Sequence, residues 1–354
     1  MEQYKKSKLH KIATFNPNAV GNTSGNIFGL PFSLEESDVI VIPVPWDVTV
    51  SSQEGTAMGP KNVFKESFQI DLFDEFHENP WKAGIAMEEY PKDIYQLNKS
   101  LRSKARTYIE FLEKTGSGEE PKQWEDTRNE INLACEQLHE KIRHKSLAYL
   151  KQNKLPVILG GDHSTPLGLI KALGESNQDF GILQIDAHAD LRPAYEGFSH
   201  SHASIMYNAL SVKQVSQLVQ VGIRDLCNQE YELIASIPHR ISTFFSGNLH
   251  KRLFGGESWK EITADIIEKL PQKVYITLDV DGMEPSFCPS TGTPVPGGLS
   301  YNQVLYIIEK LVESKKTIIG FDLVETGPEQ IDGIISCRLL YKMIAMMLKS
   351  NQRI

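Results

Sequence analysis

Asp186, His188 and Asp190 stand at positions i, i+2 and i+4 in Asp-Ala-His-Ala-Asp, directly after the apolar run Gly181–Ile185. Alternate side chains of an extended chain point the same way, so the three can converge at the end of a buried strand. Two carboxylates beside one imidazole suit Mn2+ or a similar divalent ion better than one that prefers thiolates. Two other stretches repeat the arrangement. Gly160-Gly161-Asp162-His163-Ser164 follows the apolar Pro156–Leu159, and Asp279-Val280-Asp281 follows Val274–Leu278. In parallel α/β sheets ligands bind outside the carboxyl ends of the strands. Three strands would therefore deliver His163, then Asp186, His188 and Asp190, then Asp279 and Asp281 to one edge. One dication rarely needs so many acidic ligands. Two dications sharing bridging carboxylates use them all and cancel most of their charge.

The elements needed to carry these residues are legible as an alternation. Strand-like runs at 157–160, 181–186, 218–222, 274–279 and 318–322 are interleaved with helix-like runs at 165–174, 202–210, 261–270, 300–314 and 335–349. Such alternation predicts β-α-β units and a parallel sheet covered by helices on both faces. Val39–Ile42 reads as a first buried strand, leading into the turn-rich stretch that holds Trp46 and Asp47, both candidates for touching substrate. Gly59-Pro60 follows, and Pro suits a helix start. Residues 91–153 read as a helical layer, with apolar spacing of three and four over 101–112 and 131–150 and a loop at 115–121. Residues 1–36 are polar and read as a loosely ordered arm or lid.

Composition narrows the class. The 354 residues are 40% hydrophobic and 23% charged, as in an ordinary globular chain, and the net charge is −8. No basic surplus exists to neutralise phosphates, so nucleic acid is not an expected partner. The four cysteines are far apart without a Cys-x-x-Cys, which fits a reducing compartment and argues against a disulfide framework. No apolar run approaches membrane-spanning length, and a cytoplasmic protein without membrane attachment is expected. No Gly-x-Gly-x-x-Gly or phosphate loop is present.

The motifs GGDHS, DAHAD, SHAS, LDVDGMEPSFCPSTGTPVPGG and FDLVE occur in that order between Val157 and Glu325. Together they resemble the ureohydrolase family of arginase, agmatinase and formimidoylglutamase. The resemblance implies a three-layer α-β-α fold with a central parallel sheet, and a binuclear metal site at the C-terminal strand ends. After the polar arm over 1–36, it implies one domain over 37–354. It also implies two Mn2+ per subunit, with Ni2+ or Co2+ as alternatives. His163, Asp186, Asp190 and Asp279 would hold one ion, and Asp186, His188, Asp279 and Asp281 the other. A homo-oligomer of three or six copies is a further implication. One departure stands out: Glu284 occupies a position where the family usually carries Asp.

The implied chemistry is hydrolysis of a guanidino group to urea and an amine by hydroxide bridging the metals. Glu325 would accept the planar fork of guanidinium N–H donors, and Asp190 would relay a proton. His202 would protonate the leaving nitrogen, with His200 as the alternative. Asp162 could orient a ligand from behind. His250, in a loop with a superficial likeness to arginase, lies too far along the chain to take part. The substrate is left open between agmatine or arginine on one side and formimidoylglutamate, guanidine or a guanidino acid on the other. Arg192 could bind a substrate carboxylate, and Glu196 a distal amine.

Overall fold

The computed structural model describes residues 2–75, 77–116 and 121–354. Eight strands form one parallel sheet: β1 (Val39–Val44), β2 (Ile85–Met87), β3 (Leu155–Gly160), β4 (Phe180–Ile185), β5 (Val215–Val221), β6 (Ile241–Phe244), β7 (Lys273–Asp279) and β8 (Thr317–Val324). Their order across the sheet is β2-β1-β3-β8-β7-β4-β5-β6. The strands of the centre are near-continuous apolar runs because both faces are covered. On β7, Val274, Ile276 and Leu278 join one core layer, and Tyr275 joins the other. The first layer contains the helices Tyr301–Glu313 and Gln330–Ser350; the second contains Lys92–Thr115, Lys122–Lys151 and Leu167–Ser176. This is the three-layer arrangement that the alternation predicts.

Two strands were not foreseen. β2 and β6 have three and four residues, too short for a period-2 pattern to register. Both lie at the sheet edges. The helices Asn228–Ser236 and Ser246–Phe254 also went unread. Of the loop expected at 115–121, residues 117–120 lie outside the described residues.

The stretch expected to be a loose arm is built differently. Glu2–Thr14 is helical, and Ile27, Phe28, Leu30 and Phe32 are buried in the same core layer as β1 and β3. Polar spacing in the sequence masks this, because the helix, apart from Ile12, is held by charge. Lys11 Nζ and Ser7 Oγ donate to the two carboxylate oxygens of Glu36, and Lys8 Nζ donates to Asp38 and to the carbonyl of Ala83.

Candidate metal centre

The four adjacent strands β3, β8, β7 and β4 occupy the middle of the sheet, and each leaves its carboxyl end with a candidate residue. His163 follows β3 by three residues, Asp186 and Glu325 directly follow β4 and β8, and Asp279 closes β7. Asp281 sits in a single 3-10 turn, Val280–Gly282, whose first amides are turned by the Asp279 carboxylate: Oδ1 accepts from the Asp281 N–H at 2.9 Å.

Strand alternation is not what gathers the Asp-Ala-His-Ala-Asp residues. β4 ends at Ile185, and Asp190 has φ of +54°, a left-handed conformation that an Asp adopts only where its surroundings require it. The segment is a loop, pinned by the Asp186 carboxylate, which accepts from the His188 N–H at 2.7 Å, and by Asp281, which accepts from the Ala187 N–H at 3.1 Å.

The outcome is one cluster. His163 Nδ1 lies 3.0 Å from Asp186 Oδ2, 2.9 Å from Asp190 Oδ2 and 3.3 Å from Asp279 Oδ2. His188 Nδ1 lies 3.1 Å from Asp281 Oδ2 and 3.6 Å from Asp186 Oδ1. Two donor groups suited to a cation result, His163–Asp186–Asp190 and Asp186–His188–Asp281, and Asp186 belongs to both. All of these side chains are buried except His188, which is about one quarter exposed.

The electrostatics state what the cluster lacks. Burial and the neighbouring Asp281 and Asp186 push the Asp279 carboxyl well above the carboxylate range; burial and Asp186 push Asp190 up to about 7. Glu325 is raised by burial, Asp279 and Asp162. For His163, burial opposes charge, yet the carboxylates of Asp186, Asp190 and Asp279 hold its imidazolium well above the usual histidine value. Asp279, Asp190, Glu325 and both histidines are driven to retain protons, while at Asp186 burial is outweighed by His163 and His188, which hold it low; the buried acids outnumber the two imidazoles, so the cluster has room for more positive charge. A pair of divalent cations fits this donor set.

Behind the cluster lie polar side chains whose role the sequence alone does not mark. Gln184 donates to Asp186 Oδ2 at 2.8 Å, and its own carbonyl accepts from Gln220 at 2.7 Å. Arg224 donates to the carbonyls of Asp281, Met283 and Val295, lacing the chain after β5 to the chain after β7. A lone cation just past the end of β5 is the signal in the sequence that marks Arg224.

The remaining candidates separate. Glu325 (φ +60°) accepts from the His163 N–H at 2.9 Å through Oε1, while its buried Oε2 has no hydrogen-bond partner. His202 is partly buried, with Nδ1 3.2 Å from Ser201 Oγ and its ring edge-on to Tyr195. Burial and the positive His188, His163 and Arg102 lower it to about 3. His200 packs edge-on against His139 instead. Arg192 lies 3.6 Å from Glu230 and stacks over Tyr195 at 4.6 Å. Glu196 keeps a buried Oε2 without a hydrogen-bond partner. Asp47 is committed to structure: its oxygens accept from Asn98 and from the N–H groups of Gly55 and Ala57. Trp46 is fully buried, with its backbone against Gly161. His250 bonds its own helix at Ser246.

A profile of the arginase family matches residues 37–349. The chain belongs to the arginase family. It is 32% identical over 295 residues to N(1)-aminopropylagmatine ureohydrolase of Thermus thermophilus, covering 83% of this chain and 84% of that one. It is 27% identical to the agmatinase of Halalkalibacterium halodurans, with 86% and 89% covered. Among solved structures, the agmatine ureohydrolase of Thermoplasma volcanium superposes with a TM-score of 0.69 over 98% of this chain and 99% of that one, at 22% identity. The arginase of Medicago truncatula gives 0.65 over 98% of each, at 21% identity. This arginase-family chain is an enzyme, a ureohydrolase, as its motifs lead one to expect. Among the described residues no helix is long and apolar enough to cross a membrane.

Proposed function

We propose that this ureohydrolase cleaves a guanidino group borne on a cationic aliphatic chain, as in agmatine or its aminopropyl derivative, to urea and an amine. The observation that carries the chemistry is the pair of donor groups sharing Asp186, with the unpartnered Oε2 of Glu325 at the next strand end. His163, Asp186, Asp190 and Asp279 hold one ion in this reading, and Asp186, His188, Asp279 and Asp281 the other. Carboxylate and imidazole donors favour Mn2+, with Ni2+ or Co2+ as alternatives. Bound there, the ions supply a nucleophile from water at neutral pH.

The chain's own residues do the rest. Glu325 Oε1 is held by the His163 N–H, which leaves Oε2 to accept from the guanidinium. Asp190 takes up the proton that water gives. His202, with Nδ1 beside Ser201 Oγ and its ring edge-on to Tyr195, can accept a proton on its ring and pass it to the leaving nitrogen. Two observations favour a cationic tail over a carboxylate one. Arg192, the candidate carboxylate partner, is engaged by Glu230 and Tyr195. Glu196, the candidate amine partner, has a carboxylate oxygen without a hydrogen-bond partner. The names of the relatives in Thermus thermophilus and Halalkalibacterium halodurans point the same way.

The test is product release from arginine, agmatine, N1-aminopropylagmatine, a guanidino acid, guanidine and formimidoylglutamate by protein loaded with Mn2+, then Ni2+. The expected result is urea from agmatine or aminopropylagmatine, with kcat/KM at least about tenfold above arginine. Preference for arginine would sink the cationic-tail reading, and formamide from formimidoylglutamate alone would sink the guanidino reading.

A further inference from the structure

Tyr275, Thr277 and Asp279 stand at alternate positions of β7 and share one face of the sheet. The register pairs Thr277 with Asp322 on β8. Asp322 Oδ2 accepts from the Tyr275 hydroxyl at 2.6 Å, and Oδ1 accepts from the Thr277 hydroxyl at 2.9 Å. Thr277 Oγ1 in turn lies 2.7 Å from Nε2 of His163. All four side chains are buried, with at most 1% exposure.

Counting protons along this line fixes a tautomer. A hydroxyl has one proton and can still accept through its lone pairs. Thr277 gives its proton to Asp322, so toward His163 its oxygen can only accept. Nε2 therefore carries hydrogen, and Nδ1, which faces the oxygens of Asp186, Asp190 and Asp279, is the nitrogen whose lone pair is left for a cation. Tyr275 occupies the other oxygen of Asp322, and burial together with that carboxylate keeps its hydroxyl protonated. Asp322 is thereby held facing Thr277.

We propose that Thr277 and Asp322 are positioning residues for His163, selecting Nδ1 as the donor nitrogen and strengthening its hold on one of the two ions. The inference rests on the reading of His163 as a metal ligand. It does not touch the other ion, whose histidine, His188, has no part in this network.

The test is Mn2+ binding to the intact protein, measured by competition with a chelating dye, for wild type, Thr277→Val, Thr277→Ser and Asp322→Asn. Valine keeps the shape of threonine and removes the acceptor; serine keeps the acceptor. Thr277→Val is expected to weaken one of two Mn2+ ions about 10- to 100-fold, with Thr277→Ser close to wild type. Asp322→Asn is expected to weaken the same ion, because an amide oxygen cannot serve both hydroxyls. Should the valine chain fail to fold, as circular dichroism would report, the asparagine variant carries the measurement. Unchanged affinities for both ions overturn the proposal; if the metal-free melting temperature falls at the same time, the network is structural only. A wild-type protein that binds no divalent ion overturns the metal-ligand reading instead, a result distinct from the first.

Discussion

In the proposed function, Glu325 would concentrate the chemistry of recognition in one side chain. It is a buried carboxylate in a left-handed backbone conformation, with one oxygen held by a backbone N–H and the other bare. Changing it to Gln keeps the shape and one acceptor but turns an amide NH2 toward the donors of a guanidinium. Loss of one partner of a buried, charge-assisted pair costs about 2–5 kcal/mol, so kcat/KM should fall about 30- to several-thousand-fold in Glu325→Gln. Both ions should be retained. Steady-state kinetics beside metal analysis of the same sample checks this, and loss of metal would reassign Glu325 as a ligand. The residues that meet in the cluster were legible because a His or Asp at the end of an apolar run is an unusual place for a charge. Thr277, Asp322 and Gln220 were not, because an isolated Thr, Asp or Gln inside a strand acquires meaning only from the neighbour that strand register brings beside it. Thr277 and Asp322 are 45 residues apart in sequence.

At the scale of elements, long apolar strands announced themselves and short edge strands did not. The Asp-Ala-His-Ala-Asp motif was correctly placed at a strand end, but its convergence comes from a loop pinned by backbone N–H groups rather than from alternation. The N-terminal helix was hidden for a third reason: apart from Ile12, which packs on the core, its attachment is ionic, and charge spacing carries no period. That attachment is open to a pH test. Burial alone would raise the Glu36 carboxyl, but hydrogen bonds from Lys11, the Ser33 N–H and Ser7 outweigh it and hold it at about 2. A group whose folded value is depressed contributes stability above its ordinary value, near 4.5, and that contribution is lost as pH falls toward 2. Docking of Glu2–Thr14 should therefore weaken between about pH 4.5 and 2. Phe15, directly after the helix, packs on Trp81 at 5.1 Å, so indole fluorescence reports it. Glu36→Gln should be undocked more readily at pH 7 and should lose this pH dependence. An unchanged fluorescence profile would mean that the apolar contacts hold the segment alone.

The whole molecule places its chemistry where its topology is most constrained, at the ends of the four strands in the middle of the sheet. Because those ends belong to segments scattered from residue 155 to 324, ions bound there would tie together the two halves of the sheet. The metal-free cluster instead leaves buried carboxylates to repel one another, as the raised Asp279, Asp190 and Glu325 record. An ion present at 100 to 1,000 times its dissociation constant stabilises a folded state by about 3–4 kcal/mol. Two such ions would contribute roughly 5–8 kcal/mol. With an unfolding entropy of about 2.1 cal/mol/K per residue, this corresponds to roughly 7–11 °C for a chain of this length. Chelation should lower the melting temperature by that amount, and Mn2+ should restore it. Asp279→Asn removes a donor proposed to serve both ions, and with it a carboxylate raised by burial, Asp281 and Asp186. Its metal-free form should melt near the metal-free wild type, while most of the gain on adding Mn2+ disappears. A variant that gains as much from Mn2+ as wild type would show that Asp279 is not shared between two ions, and the bridging arrangement would have to be redrawn around Asp186 alone.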